Sequence, residues 1–111
     1  MKRVILALAA LCSAAPALAG AGNFTLVNQS GAALSDLAIR RHGTAAWSAL
    51  PNAASQGAST SVTFSDPDCA FDIRAKVAGN GDVVWSGVNL CEVSRVTLRR
   101  GPSGSAFADY D

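Results

Sequence analysis

C-A-F-D-I-R-A-K-V-A-G-N-G-D-V-V-W-S-G-V-N-L-C, Cys69 to Cys91, is the stretch on which the fold turns. In its first half Phe71, Ile73, Ala75 and Val77 alternate with Asp72, Arg74 and Lys76. A period of two marks a strand with one dry and one wet face. Gly79-Asn80-Gly81 reads as a turn and Asp82–Leu90 as the returning strand. A three-residue turn centred on Asn80 sets Val77 against Val83, Ala75 against Trp85, Ile73 against Gly87 and Cys69 against Cys91, all on the inner face. A two-residue Asn80-Gly81 turn would set Cys69 against Glu92 and turn the inner residues of the returning strand outward. The cysteines decide for the first register and predict a Cys69–Cys91 disulfide. Gly87 is also a candidate bulge.

Outward from this hairpin the chain shows short alternating runs and no helix-period segment. Strands are predicted over Phe24–Asn28, Leu34–Arg40, Thr60–Ser65 and Val93–Arg99. Residues 41–58 form a long irregular stretch rich in Ala, Ser, Gly and Asn, with Trp47, Leu50 and Pro51 its bulky members. Residues 101–111 contain Pro, Ser and Gly and are expected to trail as a loose tail, with Phe107 and Tyr110 as anchors. The expected architecture is all-β: a small antiparallel β-sandwich or open barrel of about six strands, one domain over residues 20–100.

The first 19 residues carry the marks of a secretory signal peptide: Lys2 and Arg3, then an apolar run from Val4 to Cys12, then Ala17-Leu18-Ala19. Cleavage is expected after Ala19. Lys2-Arg3 is no twin-arginine motif, so export of the unfolded chain by a Sec-type route is expected. Leu11 before Cys12 disfavours lipid attachment. No run reaches the roughly 20 residues needed to span a bilayer, so no membrane span is expected. The chain beyond the signal should reside in the periplasm or outside the cell. It holds seven basic and eight acidic side chains. That near-neutral balance argues against nucleic acid as a partner. Two cysteines, an even count, suit an oxidising compartment.

Three segments carry a resemblance: Phe24-Thr25-Leu26-Val27-Asn28, C-A-F-D-I-R from Cys69, and W-S-G-V-N-L-C-E-V-S from Trp85. They resemble a family of small exported bacterial proteins of unknown function, with an F-x-L-V-N opening, a C-x-x-D-I-R strand and a W-x-x-V-D-L-C element. Its members are often labelled Tat-pathway signal proteins or argininosuccinate lyases. Neither label suits a chain without a twin arginine and too short for a large helical lyase. The resemblance implies architecture and no activity. Asn89 stands where the family tends to have Asp, the Ala78–Asp82 turn lacks the family's acidic cluster, and the loop around Trp47 is richer in Ala.

Candidate chemistry is sparse. His42 is the single histidine, and no serine sits in a recognisable nucleophile elbow. It reads as an exposed loop residue. Asp66, Asp68 and Asp82 form no calcium-loop pattern, and no metal or other cofactor is expected. Asp72, Arg74 and Glu92 read as solvated surface. Arg40, Arg41, Arg95, Arg99 and Arg100 could join into one anion-binding patch if their strands were neighbours, and otherwise guard sheet edges. Trp85 is expected in the core. Trp47 is expected to fold back as a lid over the core, or else to act as a recognition anchor. These readings favour a non-enzymatic binding module, a monomer meeting an envelope protein or small ligand. Candidate contacts are Trp47, Arg40, Arg41 and Arg99. The alternatives are a structural or stress-related envelope protein without a specific ligand, and a small hydrolase using His42.

Overall fold

Alternation becomes architecture through burial. Phe71, Ile73, Ala75 and Val77 are each at most 2% exposed, and the strand carrying them lies at the centre of the fold. The structure is a computed structural model that describes residues 20–51 and 55–111. The expected signal peptide and its cleavage after Ala19 lie outside the described residues, apart from Gly20 beyond the cut. Eight strands are present among the described residues: β1 (Phe24–Gln29), β2 (Leu34–Arg41), β3 (Ser48–Ala49), β4 (Ser59–Val62), β5 (Ala70–Val77), β6 (Gly81–Asn89), β7 (Arg95–Arg100) and β8 (Ala106–Tyr110). They form two four-stranded sheets, β4-β1-β7-β8 and β3-β2-β5-β6. The fold is therefore a β-sandwich, with eight strands instead of about six.

The two added strands have different causes. β3 is only two residues long and pairs Ser48 with Ile39 and Ala49 with Ala38. β8 runs where a loose tail was expected. Gly101 N–H donates to Ser105 C=O at 2.8 Å, which folds the chain back onto β7. Ala106 and Ala108 then pack against the core while Phe107 stays outside, 46% exposed. Nearly all pairings are antiparallel, but β1 and β7 run parallel, with Leu26 beside Val96. The core sits between the sheets. Leu26, Val96 and Leu98 face Leu37, Ile73, Phe71 and Trp85 across it. Trp85 is 1% exposed and its indole N–H donates to Arg99 C=O of the opposite sheet at 2.9 Å. A buried indole needs such a partner.

The hairpin register differs from expectation by two residues. Val77 pairs with Gly81, Ala75 with Val83 and Ile73 with Trp85. The turn is the reason. Asn80 N–H closes on Val77 C=O at 2.8 Å, with Gly79 left-handed at φ +84° and Gly81 left-handed at φ +75°. The turn thus centres on Gly79, one residue earlier than Asn80. A slip of two keeps the same face inward, so the dry set near the turn is unchanged. Farther along, β6 takes three residues from Trp85 to Val88 while β5 takes two from Ile73 to Phe71. Gly87, at φ +68°, is the bulge. It reverses which residues point inward, so Val88 and Leu90 are buried while Gly87 and Asn89 are exposed. The disulfide Cys69–Cys91 forms beyond the strand ends, with Cα atoms 5.0 Å apart. It lies at the rim and not on the inner face: Cys69 is exposed and Cys91 half-buried.

Asn28 ends the F-x-L-V-N segment fully buried. Its Nδ2 donates to Ala32 C=O at 2.9 Å and Ser55 C=O at 3.1 Å. Its Oδ1 accepts from Ser30 N–H at 3.0 Å and Ser30 Oγ at 2.7 Å. One side chain thus ties the turn after β1 to the loop before β4. Removing it strands buried polar groups, which costs more than the bonds themselves are worth. Asn28→Ala is expected to lower stability by about 2 kcal/mol. Urea unfolding of the two proteins checks this; an unchanged midpoint would contradict it.

Candidate functional site: a buried carboxylate and a clamped tryptophan

Asp72 occupies the outer face of β5, where period-two patterning makes it a solvated acid. It is nevertheless 1% exposed. Its neighbours close over it. Arg40, its partner across β2, donates Nε–H to Oδ2 at 2.8 Å. His42 Nδ1 lies 2.7 Å from Oδ1. The Gly87 N–H, aimed inward by the bulge, donates to Oδ1 at 2.9 Å, and Ser86 Oγ donates to it at 3.2 Å. Burial by itself would push the Asp72 carboxyl up. The hydrogen bonds from His42, Gly87 and Arg40 outweigh it and hold the group well below the usual carboxylate range.

His42 is therefore not a bare loop residue. Its backbone N–H donates to Ala70 C=O at 3.0 Å, which extends the β2–β5 pairing by one residue. An ionised carboxylate only accepts hydrogen bonds, so the ring Nδ1 carries the proton that Asp72 receives. The side chain remains 54% exposed.

Trp47 does not cap the core. It lies on the outer face, half-buried, with the guanidinium carbons of Arg40 and Arg74 at 4.5 and 4.3 Å from its ring centroid. Each such contact contributes about 0.5–1 kcal/mol at a partly exposed site. Arg40 thus serves two partners, Asp72 through Nε and Trp47 through its face. Beside it opens a cleft of about 420 Å³. Ile39, Phe64 and Phe71 give it apolar walls, and Arg40, Arg41 and Asp66 a charged rim. Phe64 stands edge-on to both Phe71 and Phe24, with centroids 5.1 and 6.0 Å away, which fixes the wall.

Arg41 spans from β2 to the turn before β5. Its Nη2 lies 3.0 Å from Asp66 Oδ1 and its Nε 3.1 Å from Asp68 Oδ2. The Asp68 N–H and the Arg41 side chain together hold the Asp66 carboxyl below its ordinary range. Asp82 pairs instead with Lys76 at 3.5 Å, so the three acids considered for calcium do not meet. Among the described residues no group of three or more His, Cys, Asp or Glu side chains is arranged to hold a metal.

Of the candidate contacts, Arg40 and Trp47 touch, while Arg41 shares the cleft rim with Arg40 but points to Asp66 and Asp68. Arg99 stands apart. It lies on β7 of the other sheet, paired with Asp109. The single anion patch joining Arg40 and Arg41 to Arg95, Arg99 and Arg100 is thus not formed, because β2 and β7 belong to different sheets. Asp72, Arg74 and Ser86 join the site without having been singled out for it. Their signal was present: an acid and an arginine on wet-face positions of one strand, and a bulge-prone Gly87 on the strand beside it.

No family model, curated protein or solved structure matches this chain.

Proposed function

We propose that the protein is an exported, non-enzymatic binding module of the cell envelope, and that it captures its ligand on the Arg40–Trp47 face beside the Ile39–Phe64–Phe71 cleft. The observation that carries this reading is the placement of Trp47. A large aromatic ring is held outside the core by two guanidiniums, and one of these, Arg40, also lines a cleft of about 420 Å³ together with Ala46 and Ser48 on either side of Trp47 in the chain. Ligand sites commonly have such volumes, with apolar walls and a few placed polar groups. The rim disulfide suits an oxidising compartment. The resemblance to small exported bacterial proteins supports the same location.

Trp47→Ala tests the reading. The ring contributes little to the core, so the loss should be confined to its two cation–π contacts, roughly 1–2 kcal/mol or a Tm drop of no more than about 15 °C. Capture of a defined species from envelope extract by the immobilised protein should fall about fivefold or more. Equal capture by both proteins would overturn the proposal and favour a structural role without a ligand.

The His42–Asp72 contact gives a hydrolase reading its one support, since a buried acid bonded to a histidine Nδ1 is how such enzymes orient a base. The serine beside the pair argues the other way. Ser86 Oγ donates to Asp72, and among the described residues no hydroxyl hydrogen-bonds to His42.

A further inference from the structure

We infer that the Arg74–Trp47–Arg40 face recognises carboxylates and that its partner is an acidic peptide segment, an inference that rests on the binding role proposed above. Arg74 is the anchor. The basic side chains around it are neutralised within the chain: Arg40 by Asp72, Arg41 by Asp66 and Asp68, Lys76 by Asp82. The Arg74 guanidinium has no carboxylate or hydrogen-bond acceptor among the described residues, and it lies over the ring of Trp47. A guanidinium carries five N–H donors in a rigid fork. Laid against a ring, it keeps those in-plane donors for an incoming group, and a carboxylate matches the fork in bidentate fashion. Arg40 is similarly pre-set, because Asp72 and Trp47 restrict it on two sides. Recognition then costs little ordering of these two arginines.

Charge and surface point to peptide. Among the described residues Asp72 pairs with Arg40 and no carboxylate pairs with Arg74, so the two guanidiniums are left with excess positive charge. Val84 stands opposite Arg74 in the register and is 40% exposed, an apolar neighbour for a side chain flanking the acid. A sugar would need the open face of Trp47 for stacking. The two guanidiniums already lie against that ring.

The test is a titration of the full folded protein with a fluorescein-labelled decapeptide alternating Glu and Val, read by anisotropy at low and moderate salt. Saturable binding that weakens with salt is expected. The Gln–Val decapeptide should bind about tenfold more weakly or worse. Arg74→Gln should lose about tenfold or more and Arg74→Lys should lose less, and in both Tm should fall by no more than about 8 °C, the most that loss of one cation–π contact accounts for. Arg95→Gln removes the same charge from the other sheet and should change affinity by less than about twofold. Equal losses in Arg74→Gln and Arg95→Gln would reduce the effect to net charge and overturn the site. Binding of polygalacturonate but not of the peptide would overturn the peptide assignment. If neither binds while Trp47→Ala still abolishes capture from extract, the carboxylate inference fails and the binding-module reading stands. If Trp47→Ala is silent as well, both fail together.

Discussion

Replacing Asp72 by alanine is expected to destabilise the protein by about 3 kcal/mol, the low end of the cost of breaking a buried ion pair. The low end applies because the partners are not all dry. Arg40 and His42 are 28% and 54% exposed and can turn to water once the carboxylate is gone. The Gly87 N–H has less freedom, since the bulge that aims it is part of β6. For a domain this size the loss corresponds to a Tm drop of roughly 15 °C. Asp72→Asn should cost less, because its amide oxygen can still accept from Gly87. The same group predicts an acid limb with a definite sign. Its folded-state pKa lies below that of an unfolded aspartate. Its stabilisation is therefore fully present above about pH 5, where the unfolded carboxyl is almost wholly ionised. It is lost as pH falls from there toward the lowered folded-state value. Thermal melts from pH 7 to pH 2 should show stability falling steeply below about pH 4. In Asp72→Asn that limb should be shallower, with Asp66, also held low, contributing what remains. An identical acid limb in both proteins would show that the Asp72 network does not carry the stability assigned to it.

The strands were readable wherever burial is one-sided. Phe71, Ile73, Ala75 and Val77 alternate with polar residues because one side of β5 meets the core and the other does not. The register was not readable, because the pattern repeats every two residues and a slip of two leaves it intact. Only the backbone conformation of Gly79, Gly81 and Gly87 distinguishes the alternatives, and each of those glycines was compatible with both. β8 was hidden for another reason. Ala106 and Ala108 are small inward residues and Phe107 points outward, so its alternation has the opposite polarity to that of a buried strand. β3 is too short for any period to register.

The site was partly readable. Trp47, Arg40 and Arg41 stood out as an aromatic and two arginines near a long loop. The meeting of Arg40 and Trp47 with Arg74 depends on β2 lying next to β5, which the hydrophobic pattern does not specify. Asp72 was misjudged because face assignment treats the outer side of a sheet as wet. Here a bulge, a histidine continuing β2 and a cross-strand arginine cover it. Each lies in a different segment, and local sequence gives no sum of the three.

The disulfide was read as the arbiter of register, and the structure assigns that role elsewhere. Removing it with Cys69→Ser and Cys91→Ser together should cost about 3 kcal/mol, the chain-entropy value for a loop spanning 22 residues. The second expectation concerns where the loss is felt. The bridge joins the far ends of β5 and β6, at the rim where Ala21 forms isolated pairings with both Cys91 and Asp66. Ala21 N–H donates to Asp66 C=O at 2.7 Å, and Leu90 N–H to Cys69 C=O at 2.9 Å. Those two amides should exchange with deuterium much faster in the double variant. The pairing of Ala75 with Val83 and of Ile73 with Trp85 should persist, because the Gly79 turn and the Gly87 bulge set it without help from sulfur. Protection retained near the turn and lost at the rim would establish the bridge as a clamp on an already aligned hairpin. Uniform loss along β5 and β6 would return the register to the cysteines, since a strand pair aligned by its turn alone cannot need a cross-link at its opposite end.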